Sequence, residues 1–227
     1  MSQPPLDLRF VTSADRWERL PPTTAEVAFL GRSNVGKSSL LNKLANRTRL
    51  AHVSKTPGRT QLLNCFRLGP ESDAPGQTLV DCPGYGFAKV PGRIREGWQE
   101  MLEGYLLERE ELVRAMVLVD GEIGPTNLDV SMLDWLRHHE ITFAVIASKH
   151  DKVKSSKREA RKQDLAIGCG VRPGDVVWTS SAKDVGIDRL RGLIRTWLDE
   201  GSELSSASAP SAATDPSEPY DDEAEWD

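Results

Sequence analysis

Hydrophobic positions along the chain fall into short apolar runs that alternate with longer segments of helical spacing. The short runs predict strands at residues 26–30, 62–68, 77–80, 113–120, 141–147 and 175–178. Apolar residues three and four positions apart predict helices at residues 37–46, 93–109, 127–139, 154–167 and 186–198. This order predicts an α/β domain with three layers, whose mostly parallel six-stranded sheet has one antiparallel edge strand.

The pattern divides the chain into three parts. Residues 1–24 are an N-terminal extension that we expect to pack through Leu8, Phe10, Trp17 and Leu20, and residues 25–200 are the domain itself. Residues 201–227 are an acidic tail, which we expect to be disordered because it has too few apolar side chains to bury. The net charge of −5 includes ten acidic residues and no Lys or Arg after residue 198, so the preceding 198 residues carry +5. A mildly basic body suits an RNA partner, but it is also ordinary for a soluble domain.

Cysteine usage and the N-terminus favour a reduced, cytoplasmic setting. Cys65, Cys82 and Cys169 are far apart in the sequence and have neither disulfide-framework nor zinc-site spacing. The first residues lack a signal-peptide pattern, and no apolar run approaches the length of a membrane span. We therefore expect no membrane partner.

The most informative motif is Gly31-Arg32-Ser33-Asn34-Val35-Gly36-Lys37-Ser38, which stands between a predicted strand and a predicted helix. Its spacing is that of a phosphate-binding loop, in which backbone N–H groups and a helix N-terminus face a polyphosphate. Lys37 would neutralise the β and γ phosphates, and the Ser38 hydroxyl would hold a Mg²⁺ ion.

Further polar motifs follow other strands, where ligands of open α/β sheets bind. Asp81 is placed to hold the Mg²⁺ shell through water, and the N–H of Gly84 could contact a γ-phosphate, although an aspartate that ends a strand can also cap a helix. Asp151 could accept two hydrogen bonds from guanine, which favours GTP over ATP, while the stem of Lys149 could cover the base. A backbone N–H of residues 179–181 could reach the guanine carbonyl oxygen.

In order along the chain, GRSNVGKS, TPGRTQ, DCPGYGF, SKHD and TSS resemble the five guanine-nucleotide motifs of the EngB (YihA/YsxC) family of bacterial GTP-binding proteins, within the TrmE-Era-EngA-EngB-like group. The resemblance covers about residues 8–198. It implies a GTPase that assists late assembly of the large ribosomal subunit and is needed for normal cell division and septation. It also implies Mg²⁺ on Ser38 and Thr60, a first switch at 58–62 and a second at 81–84. Thr56 is the alternative to Thr60, and only the family register favours Thr60.

Together these arguments give the expected site. The catalytic set is Lys37, Thr60 and Gly84, and the metal set is Ser38, Thr60 and, through water, Asp81. The expected nucleotide-binding residues are Gly31, Arg32, Ser33, Asn34, Val35, Gly36, Lys37, Ser38, Gly58, Arg59, Thr60, Gln61, Leu62, Asp81, Cys82, Pro83, Gly84, Ser148, Lys149, His150, Asp151, Thr179, Ser180 and Ser181.

Three residues depart from or extend the usual GTPase pattern. Ser148 stands where many GTPases have Asn and this family usually has Thr; it keeps a hydroxyl that can brace the phosphate loop. Tyr85 replaces the glutamine that orients the attacking water in many GTPases, so unaided hydrolysis should be slow. Asn34 resembles the asparagine that binds K⁺ in related GTPases, which makes K⁺ a further candidate ligand.

Partner surfaces are predicted from charge. Seven Lys or Arg residues against two acidic ones lie between residues 149 and 162, and further basic residues lie in the two switch regions. Such a cluster suits contacts with rRNA, although a charged helix face is often merely solvated. The acidic tail could shield this surface, or it could be an ordinary solubility tail. We expect a monomer that binds GTP or GDP and the precursor of the large ribosomal subunit, and that binds no DNA.

Three other functions compete with this prediction. A GTPase of another pathway, such as tRNA modification, would need additional domains for which 227 residues leave no room. An ATP-dependent kinase is disfavoured by Asp151 and by the absence of an Arg-rich lid segment. A nucleotide-gated RNA-binding module with negligible intrinsic hydrolysis remains open because of Tyr85.

Overall fold

The computed structural model describes residues 2–51, 62–85 and 92–208, except for the side chains of residues 92–96, 98 and 208. Its strands are β1 Leu8–Ala14, β2 Thr23–Gly31, β3 Leu63–Leu68, β4 Gly76–Asp81, β5 Leu112–Asp120, β6 Phe143–Ser148 and β7 Val177–Trp178. Its α-helices are α1 Lys37–Leu44, α2 Gly92–Glu108, α3 Asn127–His138, α4 Arg158–Gly168 and α5 Ile187–Ser208. Short 3-10 turns cover Trp17–Arg19, His150–Lys152, Ser155–Lys157 and Pro173–Asp175.

The strands form one sheet in the order β1-β3-β4-β2-β5-β6-β7. β4, β2, β5, β6 and β7 are parallel neighbours, and β3 pairs antiparallel with both β1 and β4. The predicted fold class is confirmed as an α/β domain with a mostly parallel sheet. Within the described ranges the strand count of six is corrected to seven, and the strand of opposite direction lies one position inside the edge because β1 covers it.

The sheet is sandwiched between two helical layers because alternate strand residues point to opposite faces. Val27 and Phe29 of β2 pack in a core with the buried leucines of α1 and α5. Ala28 and Leu30 of the same strand pack in a second core with buried residues of α2, α3 and α4. The three-layer prediction is therefore confirmed.

The leading segment packs on the domain as expected through Leu8, Trp17 and Leu20, but the sequence did not predict that it forms strand β1. Leu8 starts an edge strand and is fully buried, whereas Phe10 on the same strand is 52 % exposed. An edge strand with a polar, mostly exposed surface has only a weak alternation of apolar residues, so its sequence does not reveal it.

The C-terminal helix is also longer than predicted. α5 was expected to end near Leu198 and the disordered tail to begin at 201, but the helix continues to Ser208. Gly201 is buried against Ala25 and Val113, so close packing on the sheet supports the helix beyond Leu198, its last buried large apolar residue. Residues 209–227 lie outside the described residues.

Other boundaries shift by a few residues. α1 ends at Leu44 because Asn46 has a positive φ of 52°. The segment predicted as a helix from residue 154 begins with a 3-10 turn, and β7 contains only Val177 and Trp178. Within the ranges that the structure describes, no helix combines the length and apolar character needed to cross a bilayer.

Candidate nucleotide-binding site

Strand order brings four chain segments together at the carboxyl edge of the sheet. β2 lies between β4 and β5, so the loop that follows Gly31 emerges between the end of β4 at Asp81 and the end of β5 at Asp120. β6 ends beside β5, where Ser148 pairs with Asp120. The phosphate loop, the Asp81 segment and the 148–151 segment therefore meet, as the sequence predicted from strand ends.

The loop between β2 and α1 has the backbone of a phosphate cradle. Gly36 has a φ of 112°, a conformation that side chains with a Cβ rarely adopt, and it immediately precedes the first residue of α1. Val35 anchors the loop through a buried side chain, while Asn34 is exposed and has a φ of 63°. The N-terminus of α1 and its free N–H groups thus face the space above the loop.

Lys37 is the buried cation of this loop. Its Nζ donates a 3.1 Å hydrogen bond to the carbonyl oxygen of Gly31, and only 9 % of the residue is exposed. Burial lowers the pKa of Lys37, and the nearby charge of Asp81 opposes that effect. An ammonium has three donors, so this group still requires acceptors, and phosphate oxygens would supply them.

Asp81 is the matching buried acid. Burial raises the pKa of Asp81 to about 6, although the charge of Lys37 and the hydroxyl of Ser38 oppose the rise. Its Oδ1 is buried, and within residues 2–51, 62–85 and 92–208 it has no hydrogen-bond partner. A hydrated divalent cation would satisfy this oxygen, so Asp81 and Ser38 fit the predicted Mg²⁺ position. No group of three or more His, Cys, Asp or Glu side chains that could hold a metal by itself is found in the described part of the chain.

The segment from Cys82 to Gly84 lies directly on the phosphate loop. All three residues are buried. A Cβ placed on Gly84 would come within 2.8 Å of the backbone nitrogen of Ser33, so only glycine permits this approach. The Ser33 hydroxyl oxygen is buried and lacks a hydrogen-bond partner among the described residues. The two segments expected to hold a γ-phosphate are therefore in contact.

The segment after β6 contains residues that the sequence predicts to bind the base. The Ser148 hydroxyl donates a 2.8 Å hydrogen bond to the carbonyl oxygen of Val35, which confirms the predicted brace on the phosphate loop. Lys149 has a positive φ of 56°, and its Nζ forms a 2.7 Å ion pair with Asp120. His150 packs edge-to-face on Trp178, and burial together with Arg158 and Lys162 lowers its pKa.

Asp151 is oriented by the neighbouring loop. The Ser180 hydroxyl donates a 2.6 Å hydrogen bond to Oδ1 of Asp151, which lowers the pKa of that carboxyl. Thr179 joins the same loops, because its carbonyl oxygen accepts a hydrogen bond of 3.0 Å from the N–H of His150. Ser181 is half-buried next to them. The predicted base-recognition residues after β6 and β7 thus lie together.

Part of the predicted site is not placed by the structure. Gly58, Arg59, Thr60 and Gln61 lie outside the described residues, as does the alternative Thr56. Leu62 lies just before β3 and is 38 % exposed. The threonine expected on Mg²⁺ therefore remains a prediction from the family register.

Two acidic residues near the site were missed from the sequence. Asp120 ends β5 and forms an ion pair with Lys149. Its position at the carboxyl end of a buried strand could have identified it as a candidate site residue. Asp129 is fully buried and forms an ion pair with Arg32 of the phosphate loop at 2.9 Å. In the sequence, Asp129 is marked only by the spacing Thr126-x-x-Asp129 at the start of a helix. This spacing is typical of a helix-capping box and does not indicate a contact with the phosphate loop.

Comparisons with known proteins agree with this geometry. Residues 26–149 match a family model described as 50S ribosome-binding GTPase. Relatives described as probable GTP-binding protein EngB include one from Cereibacter sphaeroides, 44 % identical over 191 residues, which are 82 % of this chain and 86 % of the relative. Another, from Geobacter sulfurreducens, is 41 % identical over 202 residues, which are 88 % of this chain and 96 % of the relative.

Solved structures share the fold. A crystal structure of a probable GTP-binding protein EngB aligns with a TM-score of 0.57 and 23 % identity, over 78 % of this chain and 99 % of that one. Era in complex with MgGDPNP and nucleotides 1506–1542 of 16S ribosomal RNA aligns with a TM-score of 0.60 and 21 % identity, over 78 % of this chain and 58 % of that one. From the family match and the long alignments to its relatives, the chain belongs to the EngB family of GTP-binding GTPases, whose ligands are GTP and GDP.

Proposed function

We propose that the protein is a Mg²⁺-dependent GTPase switch that assists late assembly of the large ribosomal subunit in the cytoplasm and so supports normal cell division and septation. The main observation in favour of the switch is that the buried Lys37 ammonium and the buried Asp81 carboxylate, whose Oδ1 has no partner among the described residues, lie close enough beside the phosphate loop for each charge to act on the pKa of the other. The ribosomal partner is supported by the family description, 50S ribosome-binding GTPase, and by the basic residues near the base site.

Each residue has a proposed part in binding. Lys37 would neutralise the β and γ phosphates, and the N–H of Gly84 would contact the γ-phosphate. Ser38 and Thr60 would bind Mg²⁺ directly, and Asp81 would hold its water shell. When bound, Mg²⁺ supplies positive charge that offsets the charge developing on the phosphate oxygens.

Guanine would be read by Asp151. Its carboxylate is held by Ser180 and can accept from the two adjacent guanine donors, a pair that adenine lacks. The pairing of Lys149 with Asp120 fixes the end of its side chain, so its methylene groups can cover one face of the base.

An RNA surface is proposed next to the base site. Lys152, Lys154 and Lys157 are exposed on the 3-10 turns that lead into α4. Lys149, which contributed to the charge count of this cluster, is neutralised by Asp120. The remaining basic residues would contact rRNA phosphates in a salt-dependent manner.

The first experiment tests the nucleotide site. Fluorescent GDP and GTP analogues would be titrated onto the wild type and Asp151→Asn with Mg²⁺ present, with ATP as competitor. Competition by GTP and GDP but not by ATP, and a shift of the variant towards xanthine nucleotides, is expected. Equal competition by ATP would refute the base assignment.

The second experiment tests the ribosomal partner by pelleting with purified large subunits at several salt concentrations. The protein is expected to pellet with the large subunit when a GTP analogue is bound, and to bind the subunit more weakly when GDP is bound. A double Lys154→Glu, Lys157→Glu variant should bind more weakly with a shallower salt dependence, because each lost phosphate contact reduces the slope by about 0.7 to 0.9. A double Arg9→Glu, Arg19→Glu variant is the control, since these exposed residues lie outside the basic turns. Equal losses in both variants would refute the proposed surface.

Hydrolysis is proposed to be slow without a partner or K⁺. The hydroxyl of Tyr85, in the position of the usual glutamine, is already bound to Asp129 at 3.1 Å. This contact favours a second candidate function, a nucleotide-gated RNA-binding module with negligible intrinsic hydrolysis. Single-turnover hydrolysis with large subunits, in K⁺ and in Na⁺ buffers, separates the two functions. Equal rates in both buffers would refute a K⁺ role for Asn34.

A further inference from the structure

Asp129 is a buried carboxylate on which three separate segments converge. Arg32 Nε and the hydroxyl and backbone N–H of Thr126 donate to its Oδ2 at 2.9, 2.8 and 2.9 Å. The hydroxyl of Tyr85 donates to Oδ1 at 3.1 Å. Both oxygens are thus used, and the side chain is fully buried.

Helix capping explains only half of these contacts. Thr126 precedes α3 and Asp129 is its third residue, so their mutual bonds are those of a local capping box. Arg32 and Tyr85 are 97 and 44 residues away in sequence. They come from the phosphate loop and from the residue directly after the expected γ-phosphate contact, so Asp129 links these two segments.

The same two segments also touch through their backbones. Arg32 and Tyr85 form an isolated parallel bridge. The adjacent Gly84 lies so close to Ser33 that a Cβ would meet its backbone nitrogen at 2.8 Å. The carboxylate therefore reinforces a closed arrangement in which the Asp81–Tyr85 segment rests on the phosphate loop.

We propose that Asp129 is a positioning residue that holds Arg32 and Tyr85 together and thereby favours the closed arrangement that GTP requires. The physical basis is that the N–H of Gly84 can reach a γ-phosphate only when its segment stays close to the phosphate loop. GDP has no γ-phosphate and gains nothing from this closure. A ligand shifts an equilibrium only by its differential affinity for the two states, so loss of the link weakens GTP more than GDP.

The main test is Tyr85→Phe, which removes one hydroxyl and leaves the ring in place. Affinities for GDP and for a non-hydrolysable GTP analogue would be measured in parallel. The variant is expected to bind the GTP analogue three- to ten-fold more weakly relative to GDP. Tyr105→Phe is a matched control, because the Tyr105 hydroxyl also donates to a buried carboxylate, Glu26, at 2.9 Å. The Tyr105 hydroxyl contacts Glu26 in the first half of β2 rather than a residue of the phosphate loop, so its variant should lose stability without a change in the affinity ratio.

A second variant tests whether Tyr85 acts through Asp129. Asp129→Ala, which removes both acceptor oxygens, should change the GTP-to-GDP ratio in the same direction, and adding Tyr85→Phe to it should change the ratio less than two-fold further. Urea unfolding of each variant separates this effect from lost helix capping, which lowers stability but affects both nucleotides equally.

The inference rests on the proposed placement of the phosphates over the loop. The possible outcomes distinguish failure of that placement from failure of the role of Asp129. Failure of the wild type to bind either nucleotide would overturn both. Normal wild-type binding with an unchanged ratio in Tyr85→Phe, or additive effects in the double variant, would overturn the role of Asp129 alone.

Discussion

The hydroxyl of Ser180 donates a hydrogen bond of 2.6 Å to the Asp151 carboxylate, from a loop that is 29 residues further along the chain. Ser180 is itself fully buried and also accepts the N–H of Lys183 through its hydroxyl oxygen. The acid expected to read guanine is therefore held in place by the end of a different strand.

Replacing Ser180 should weaken guanine binding without changing the charge of the site. Ser180→Ala removes a hydrogen bond worth about 1 kcal/mol, so GDP affinity should fall roughly five-fold. Competition titrations with GDP and ADP measure this loss of affinity. Ser131→Ala, at an exposed position of α3, is the control, and an equal loss in that variant would contradict a specific role of Ser180.

Guanine selectivity should be independent of pH between 6 and 8. The pKa of Asp151 is lowered below its usual 3.8, so the side chain is an ionised carboxylate throughout this range. It would become protonated only in stronger acid. The ratio of GDP to ADP affinity, measured at each pH, should be constant. A ratio that falls between pH 8 and pH 6 would show that another titrating group reads the base.

The Lys149–Asp120 ion pair should support nucleotide affinity by fixing the lysine. Asp120→Asn keeps the acceptor for the N–H of Glu122 but removes the charge opposite Lys149. GDP affinity should fall about three- to ten-fold, which corresponds to about 0.7–1.4 kcal/mol. Glu122→Gln, an exposed neighbour with the same type of change, should bind GDP as the wild type does.

Two glycines of α5 should respond oppositely to the same substitution. A Cβ on Gly201 would meet Val113 Cγ1 at 2.2 Å, whereas the nearest atom to a Cβ on Gly192 is 3.6 Å away. Gly201→Ala should therefore destabilise the fold by about 1–3 kcal/mol through overpacking. Gly192→Ala should stabilise it by about 0.5–1 kcal/mol through helix propensity. Urea unfolding measures both, and destabilisation by Gly192→Ala would contradict the packing argument.

The native cysteines should react slowly with thiol reagents. Cys65, Cys82 and Cys169 are buried, and burial raises the pKa of Cys65 to about 12 and that of Cys169 to about 11. Because the thiolate is the reactive form, little is present at pH 8. A colorimetric thiol assay should detect three fast-reacting groups per chain only after unfolding, and a fast native thiol would refute this.

Much of the fold followed from local patterns. Parallel strands buried on both faces produce long apolar runs, so β2, β5 and β6 were found within a few residues of their ends. β1 was missed because most of its side chains are exposed at the sheet edge, and the last ten residues of α5 were missed because packing of Gly201 leaves no apolar periodicity to detect.

The sequence by itself determined the phosphate loop, since glycine spacing, Lys37 and the helix start all lie within eight residues. It also determined the order in which Asp81, Ser148 and Asp151 follow their strands. Only the tertiary structure decided that Ser180 orients Asp151, that Asp120 pairs with Lys149, and that Asp129 joins Arg32 to Tyr85. These partners are far apart in the chain, and a side chain's long-range partner depends on strand order and burial, which no local pattern specifies.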